Sequence, residues 1–207
     1  ILNKYNKSTS HSLKFIALLV LLVFSLRVSS QESISSSADS LKNIKKNISI
    51  VLGSEAALYA GSMTGLYYLW YANYPQSSFH FYNDNSEWLQ MDKFGHSLTS
   101  YHVGLIGYEA LRLTGLDEKR SLLYGAPLGF VFLTTVEVFD GLSTGWGFSW
   151  GDIAANAIGT GLFMGQQAIW HEQKISMKYS YHKTEFIQYR PDLYGTTLPE
   201  NMLKDYN

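Results

Sequence analysis

No cysteine occurs among the 207 residues. Within them this excludes disulfides, thiol catalysis and a lipidated cysteine, so any hold on a membrane has to come from the helices themselves. Charge is scarce as well: 16% of the residues are Asp, Glu, Lys or Arg, against roughly 25% in soluble domains. With 46% hydrophobic and 15% aromatic residues, the chain points to a membrane or to a very apolar bundle. No acid precedes residue 31, whereas Lys4, Lys7, Lys14 and Arg27 do. The remainder holds 12 basic and 17 acidic residues without a basic stripe, so nucleic acid is not expected as a partner. A P-loop is absent too, since GLSTGWG at 141–147 lacks the Gly-Lys-Ser ending.

What is present begins with a leader. Lysines precede the apolar run FIALLVLLVFSL at 15–26, and RVSSQ follows with small residues suited to signal peptidase. Twelve apolar residues fall short of the roughly 20 that span a bilayer, which favours a cleaved signal over residues 1–30 against an anchor. Residues 31–47 are Ser-rich and polar and are expected to form a mobile linker running into a helix start. A helical domain over 48–174 and an extended arm over 175–207 complete the division.

Four helices are expected in that domain. The first, Ile48 to Tyr74, contains one charge, Glu55, and a small-residue ridge at Ala57, Gly61 and Gly65 that would let another helix approach closely in lipid. Its aromatic end, with Tyr67, Tyr68, Trp70, Tyr71 and Tyr74, suits a membrane interface, and a buried core helix is the equal alternative. After Pro75 a surface loop is expected, with a short amphipathic turn at Glu87 to Gln90. The second helix runs from about Asp92 to Thr114 and ends at Gly115 as a left-handed cap. The third starts near Asp117, stops near Gly141 and should kink at Pro127. The fourth opens at Ser149, which with Asp152 spells a capping box. From Ile175 the apolar residues alternate, as in a strand or extended arm. The fold expected is all-α: a bundle of about four apolar, Gly-rich helices with a short C-terminal β or extended arm, either embedded in a membrane or packed as a soluble core.

Ionisable groups inside these apolar helices mark a candidate site. Asp92 and His96 lie four apart on one helical face, and so do Asp152 and Asn156; Glu137 and Asp140 are three apart. Short connections make the bundle antiparallel, which brings the start of the second helix, the end of the third and the start of the fourth to one mouth. Four carboxylates around one imidazole in low dielectric need protons, a cation or water. His96, Glu137, Asp140 and Asp92 are the candidate catalytic residues. Lys93, Gly147, Ser149, Gly151, Asp152 and Asn156 are the candidate binding residues, with the loop amides of Gly147, Ser149 and Gly151 as anion donors. Plainer roles compete: Asp92 as an N-cap, Asp152 as a capping-box acid, and Lys93 reaching out to water. No metal or cofactor is expected, because neither H-E-x-x-H nor a Glu-x-x-His pair occurs.

DKFGHSLTSYHVGLIGYEALR, TTVEVFDGLSTGWGFSWGDIAANAIGTGLF and RPDLYGTTLPENMLKDYN, in that order, resemble the domain-of-unknown-function 2279 family over about residues 48–207. The LLYG segment and KDYN tail resemble its Bacteroidetes members, which continue further, so a truncated C-terminus is expected. The resemblance implies an exported protein of the cell envelope, periplasmic or membrane-associated, with membrane lipid or an envelope protein as partner. It implies no activity. More distantly, D-K-x-x-H, then E, then D-x-x-x-N-x-x-G is similar to the VanZ-like membrane family, whose pattern would fall on Asp92, Lys93, His96, Glu137, Asp152, Asn156 and Gly159. Three readings follow: a structural or interaction protein, an enzyme or carrier acting on a lipid-linked phosphate with His96 moving a proton, and, as the weakest, a metal-binding bundle.

Overall fold

The computed structural model describes residues 37–72, 74–86, 90–180, 182, 185–189 and 201. The expected leader, the first part of the linker, the turn at Glu87 and most of the arm beyond Gln188 lie outside the described residues. Helix α1 spans Ser37–Leu66, α2 Met91–Leu113, α3 Glu118–Gly125, α4 Leu128–Gly141 and α5 Trp150–Trp170. Four rods result, because α3 and α4 are one run interrupted at Ala126 and Pro127, where the proline cannot donate to the ladder. The all-α expectation holds.

At the chain ends the structure sharpens two expectations. The helix start expected at the end of the linker falls at Ser37, so residues 37–47 are the first turns of α1. Ile44, Ile48, Val51, Glu55, Leu58, Tyr59, Ser62 and Met63 recur every three or four residues and are among its less exposed positions. Such a stripe gives the polar segment a face to pack. At the other end, residues 176–180 form neither helix nor strand, and no ladder partner exists among the described residues. Gln166 instead captures the chain: Ile175 N donates to its Oε1 at 2.6 Å and its Nε2 donates to Ile175 O at 3.0 Å. Tyr101 Oη donates to Gln173 Oε1 at 3.1 Å, which ties the same segment to α2. A single segment held by side chains satisfies its backbone without becoming a strand.

The bundle centres on α2, which packs against α3, α4 and α5. Tyr101, Tyr108, Ala126 and Phe163 form the core, with Leu105, Leu122 and Leu162 against them. Glycine permits the close crossings. A Cβ on Gly129 would stand 2.0 Å from the carbonyl oxygen of Ser100, and one on Gly159 2.0 Å from that of Ser97. Nothing lies within 4 Å of the equivalent points on Gly61 and Gly65. Close backbone approach is therefore used by α2, α4 and α5, and the ridge of α1 is uncovered among the described residues.

Helix α1 ends in a π-helical turn, Tyr67–Tyr71. The wider turn rotates the register, and Tyr71 comes inward to 8% exposure. The expected surface loop then runs along the loop that follows α4. Ser77 N donates to Leu142 O, His80 N to Gly141 O and Phe148 N to His80 O, all at 2.9–3.0 Å. Outward, the rods present Ile106, Leu113, Val131, Ile158 and Ile169, each about half exposed or more. Glu118–Gly141 is long and apolar enough to cross a membrane by length and composition, at 24 residues and mean hydropathy 1.6.

Candidate functional site

The mouth formed by the starts of α2 and α5 and the end of α4 holds two linked centres. Lys93 Nζ is 2.6 Å from Asp84 Oδ1, 2.9 Å from Asp152 Oδ1 and 3.3 Å from Asp92 Oδ2. His96 Nδ1 is 3.0 Å from Asn156 Oδ1, and its Nε2 is 3.5 Å from Glu137 Oε1 and 3.7 Å from Asp92 Oδ1. An amide oxygen only accepts, so Nδ1 carries a hydrogen, and Nε2 faces the two carboxylates.

Several local roles differ from the expected ones. Lys93 does not reach for water: its side chain is 12% exposed among carboxylates. Gln90, with φ 65°, and not Asp92, precedes α2 as its N-cap. Ser149 caps α5 by accepting from Asp152 N at 3.2 Å, but the return half of the box is missing. The Ser149 N–H goes to Glu137 Oε2 at 3.0 Å instead, which leaves the Asp152 carboxylate to Lys93. Of the three amides expected to hold an anion, that of Ser149 is thus taken by a carboxylate. Gly147 and Gly151 are places of close approach: a Cβ on Gly147 would stand 2.5 Å from Tyr82 Cβ, and one on Gly151 2.3 Å from Asn85 Oδ1.

Asp140 is drawn aside, accepting from Tyr71 Oη at 2.7 Å. His102, displaced from the His96 stripe, is exposed and meets Met177 O at 2.9 Å, away from the cluster. Two members lacked a sequence signal. Asp84 comes from the loop and also accepts from Ser149 Oγ at 2.7 Å; Tyr71 arrives through the π turn. The string Gly141-Leu142-Ser143-Thr144-Gly145 has the spacing of a nucleophile elbow. It follows a helix rather than a strand, and Ser143, 4% exposed, accepts from Gly145 N, so it is a turn.

The electrostatics follow from crowding. Burial, with Asp152, Asp140 and Asp92 nearby, pushes the Glu137 carboxyl up to about 8 against the opposing Ser149 N–H. Burial raises Asp140 to about 6 despite its Tyr71 bond, and Asp152 to about 6 despite His96 and Lys93. Burial would lower Lys93, but its bonds to Asp84 and Asp152 outweigh that and hold the ammonium above its ordinary range. Burial would raise Asp84, and its bonds to Lys93 and Ser149 bring it below the usual carboxylate range.

Two centres thus divide the work: a lysine locked by carboxylates, and an imidazole beside Glu137. No curated protein and no solved structure matches the chain. None of the 207 residues is a cysteine that could carry a lipid. Residues 80–165, which supply every cluster member except Tyr71, match the model of a family described as "Predicted periplasmic lipoprotein (DUF2279)", in agreement with an exported, envelope-associated protein.

Proposed function

We propose that this protein is a noncatalytic component of the cell envelope that rests against a membrane, its polar cluster holding loop and helix ends in place while the rim around it contacts lipid. The observation that carries this reading is the closure of the charges: Lys93 is engaged by three carboxylates and the Ser149 amide by Glu137. Around the same mouth Phe79, Phe81 and Trp150 are 45%, 61% and 66% exposed, with Phe81 stacked on Trp150 at 6.1 Å. Exposed aromatics grouped in this way favour the interface between headgroups and acyl chains.

The test is cosedimentation of the full chain with phosphatidylethanolamine vesicles. Bound protein should show a blue-shifted tryptophan emission, and the pair F81S and W150S should lower the bound fraction about tenfold or more. Equal binding by the variant, or none by the native chain, would sink the reading.

The alternative is a VanZ-like enzyme or carrier for a lipid-linked phosphate, and the pairing of His96 with Glu137 favours it. Phosphate chemistry asks for free Arg, Lys or metal, and Lys93 is not free. Loss of an envelope phenotype in H96Q and E137Q at unchanged folding would favour the enzyme.

A further inference from the structure

We propose that Asp92, His96, Glu137 and Asp152 form a binding site for one divalent transition-metal ion. One ligand atom from each of Asp92, His96 and Asp152 lies within 4.8 Å of the others. The His96 Nε2 distances of 3.5 Å to Glu137 Oε1 and 3.7 Å to Asp92 Oδ1 are long for hydrogen bonds. They approach the separation of two ligand atoms on one tetrahedral ion, roughly 3.3–3.6 Å for bonds of about 2.0–2.2 Å.

Two further observations point to a cation. Glu137 is 1% exposed and its Oε1 faces His96 Nε2 at 3.5 Å. A divalent ion placed between the imidazole nitrogen and the carboxylates would be held by both kinds of donor. Asn156, fully buried, takes the Nδ1 hydrogen and thereby fixes the tautomer and ring orientation that a metal-bound histidine needs. Lys93 leaves room: it engages Asp92 Oδ2 and Asp152 Oδ1, while Asp92 Oδ1 faces the imidazole. A nitrogen donor with carboxylates selects Zn2+ or a neighbouring first-row ion over Ca2+ and Mg2+, which favour all-oxygen sets.

The chelator-treated full chain titrated with Zn2+ in a calorimeter should bind one ion, and Co2+ in its place should give a visible absorption band of a low-coordinate site. H96Q and D152N should each weaken binding at least about tenfold. If either unfolds by circular dichroism, D92N serves, since that carboxylate is 45% exposed. Absence of binding, an affinity untouched by these changes, or equal affinity for Mg2+ would overturn the site, and none of these outcomes depends on binding to vesicles.

Discussion

Glu137, buried in α4, accepts the Ser149 backbone N–H at 3.0 Å and so serves as part of the N-terminal cap of α5. A carboxylate from one rod fixes the start of the next. In E137A the amide would be stranded in a site without water access, at a cost of about 1–3 kcal/mol. In E137Q, whose side-chain oxygen still accepts, less than half of that should be lost. Urea denaturation of the two variants measures the difference.

Lys93 should be the costliest single removal. K93M leaves Asp84, Asp92 and Asp152 facing one another, two of them largely buried. Breaking a buried ionic set from one side destabilises by on the order of 3 kcal/mol. The urea midpoint should fall accordingly, and addition of D84N to K93M should recover part of it.

Asp140 supplies a pH dependence. Its folded carboxyl titrates at about 6, raised from 3.8 by burial, with Tyr71, His96, Asp92 and Asp152 as the groups around it. Because the folded form holds the proton more tightly, this contribution is complete below pH about 4 and is lost as pH rises through about 6. Glu137, raised to about 8, extends the decline in the same direction. Unfolding free energy should therefore fall between about pH 4 and 8, and D140N should flatten the lower half by on the order of 2 kcal/mol.

Ser149 joins two bonds, accepting from Asp152 N and donating to Asp84 Oδ1. S149A should cost about 1–2 kcal/mol. S149D keeps a cap but adds a charge beside Asp84, so it should not rescue. Thermal melts of both variants check this.

Gln166 holds Ile175 through two hydrogen bonds. Q166L should release the segment after α5 while the bundle persists. Limited proteolysis should then cut near residues 172–178 several times faster, with helical circular dichroism unchanged.

The helices were legible because their signals are local. Apolar spacing and the left-handed Gly115, at φ 89°, set the bounds of α2, and Ser149 and Pro127 set those of α5 and α4. The meeting of Asp92, His96, Glu137, Asp152 and Asn156 followed from antiparallel connectivity. Asp84 and Tyr71 could not be foreseen, since one depends on a loop pairing with residues 141–148 and the other on a π turn. Lys93 was misjudged because a long side chain at a helix start reaches water or a partner equally well. Only the position of Asp84 decides between them. The alternation after Ile175 resembled a strand, yet a strand needs a neighbouring ladder that side-chain amides replace here.

The Ser97–Gly159 crossing lies one residue beyond His96 on α2 and about one turn beyond Asn156 on α5. With no side chain to yield, it works as a gauge: the interaxial gap there sets the reach from His96 to Asn156 and, one turn earlier, from Lys93 to Asp152. A single methyl at residue 159 would wedge the rods apart and stretch both contacts at once. The dimensions of the charged mouth are thus dictated by an uncharged position that has no side chain of its own.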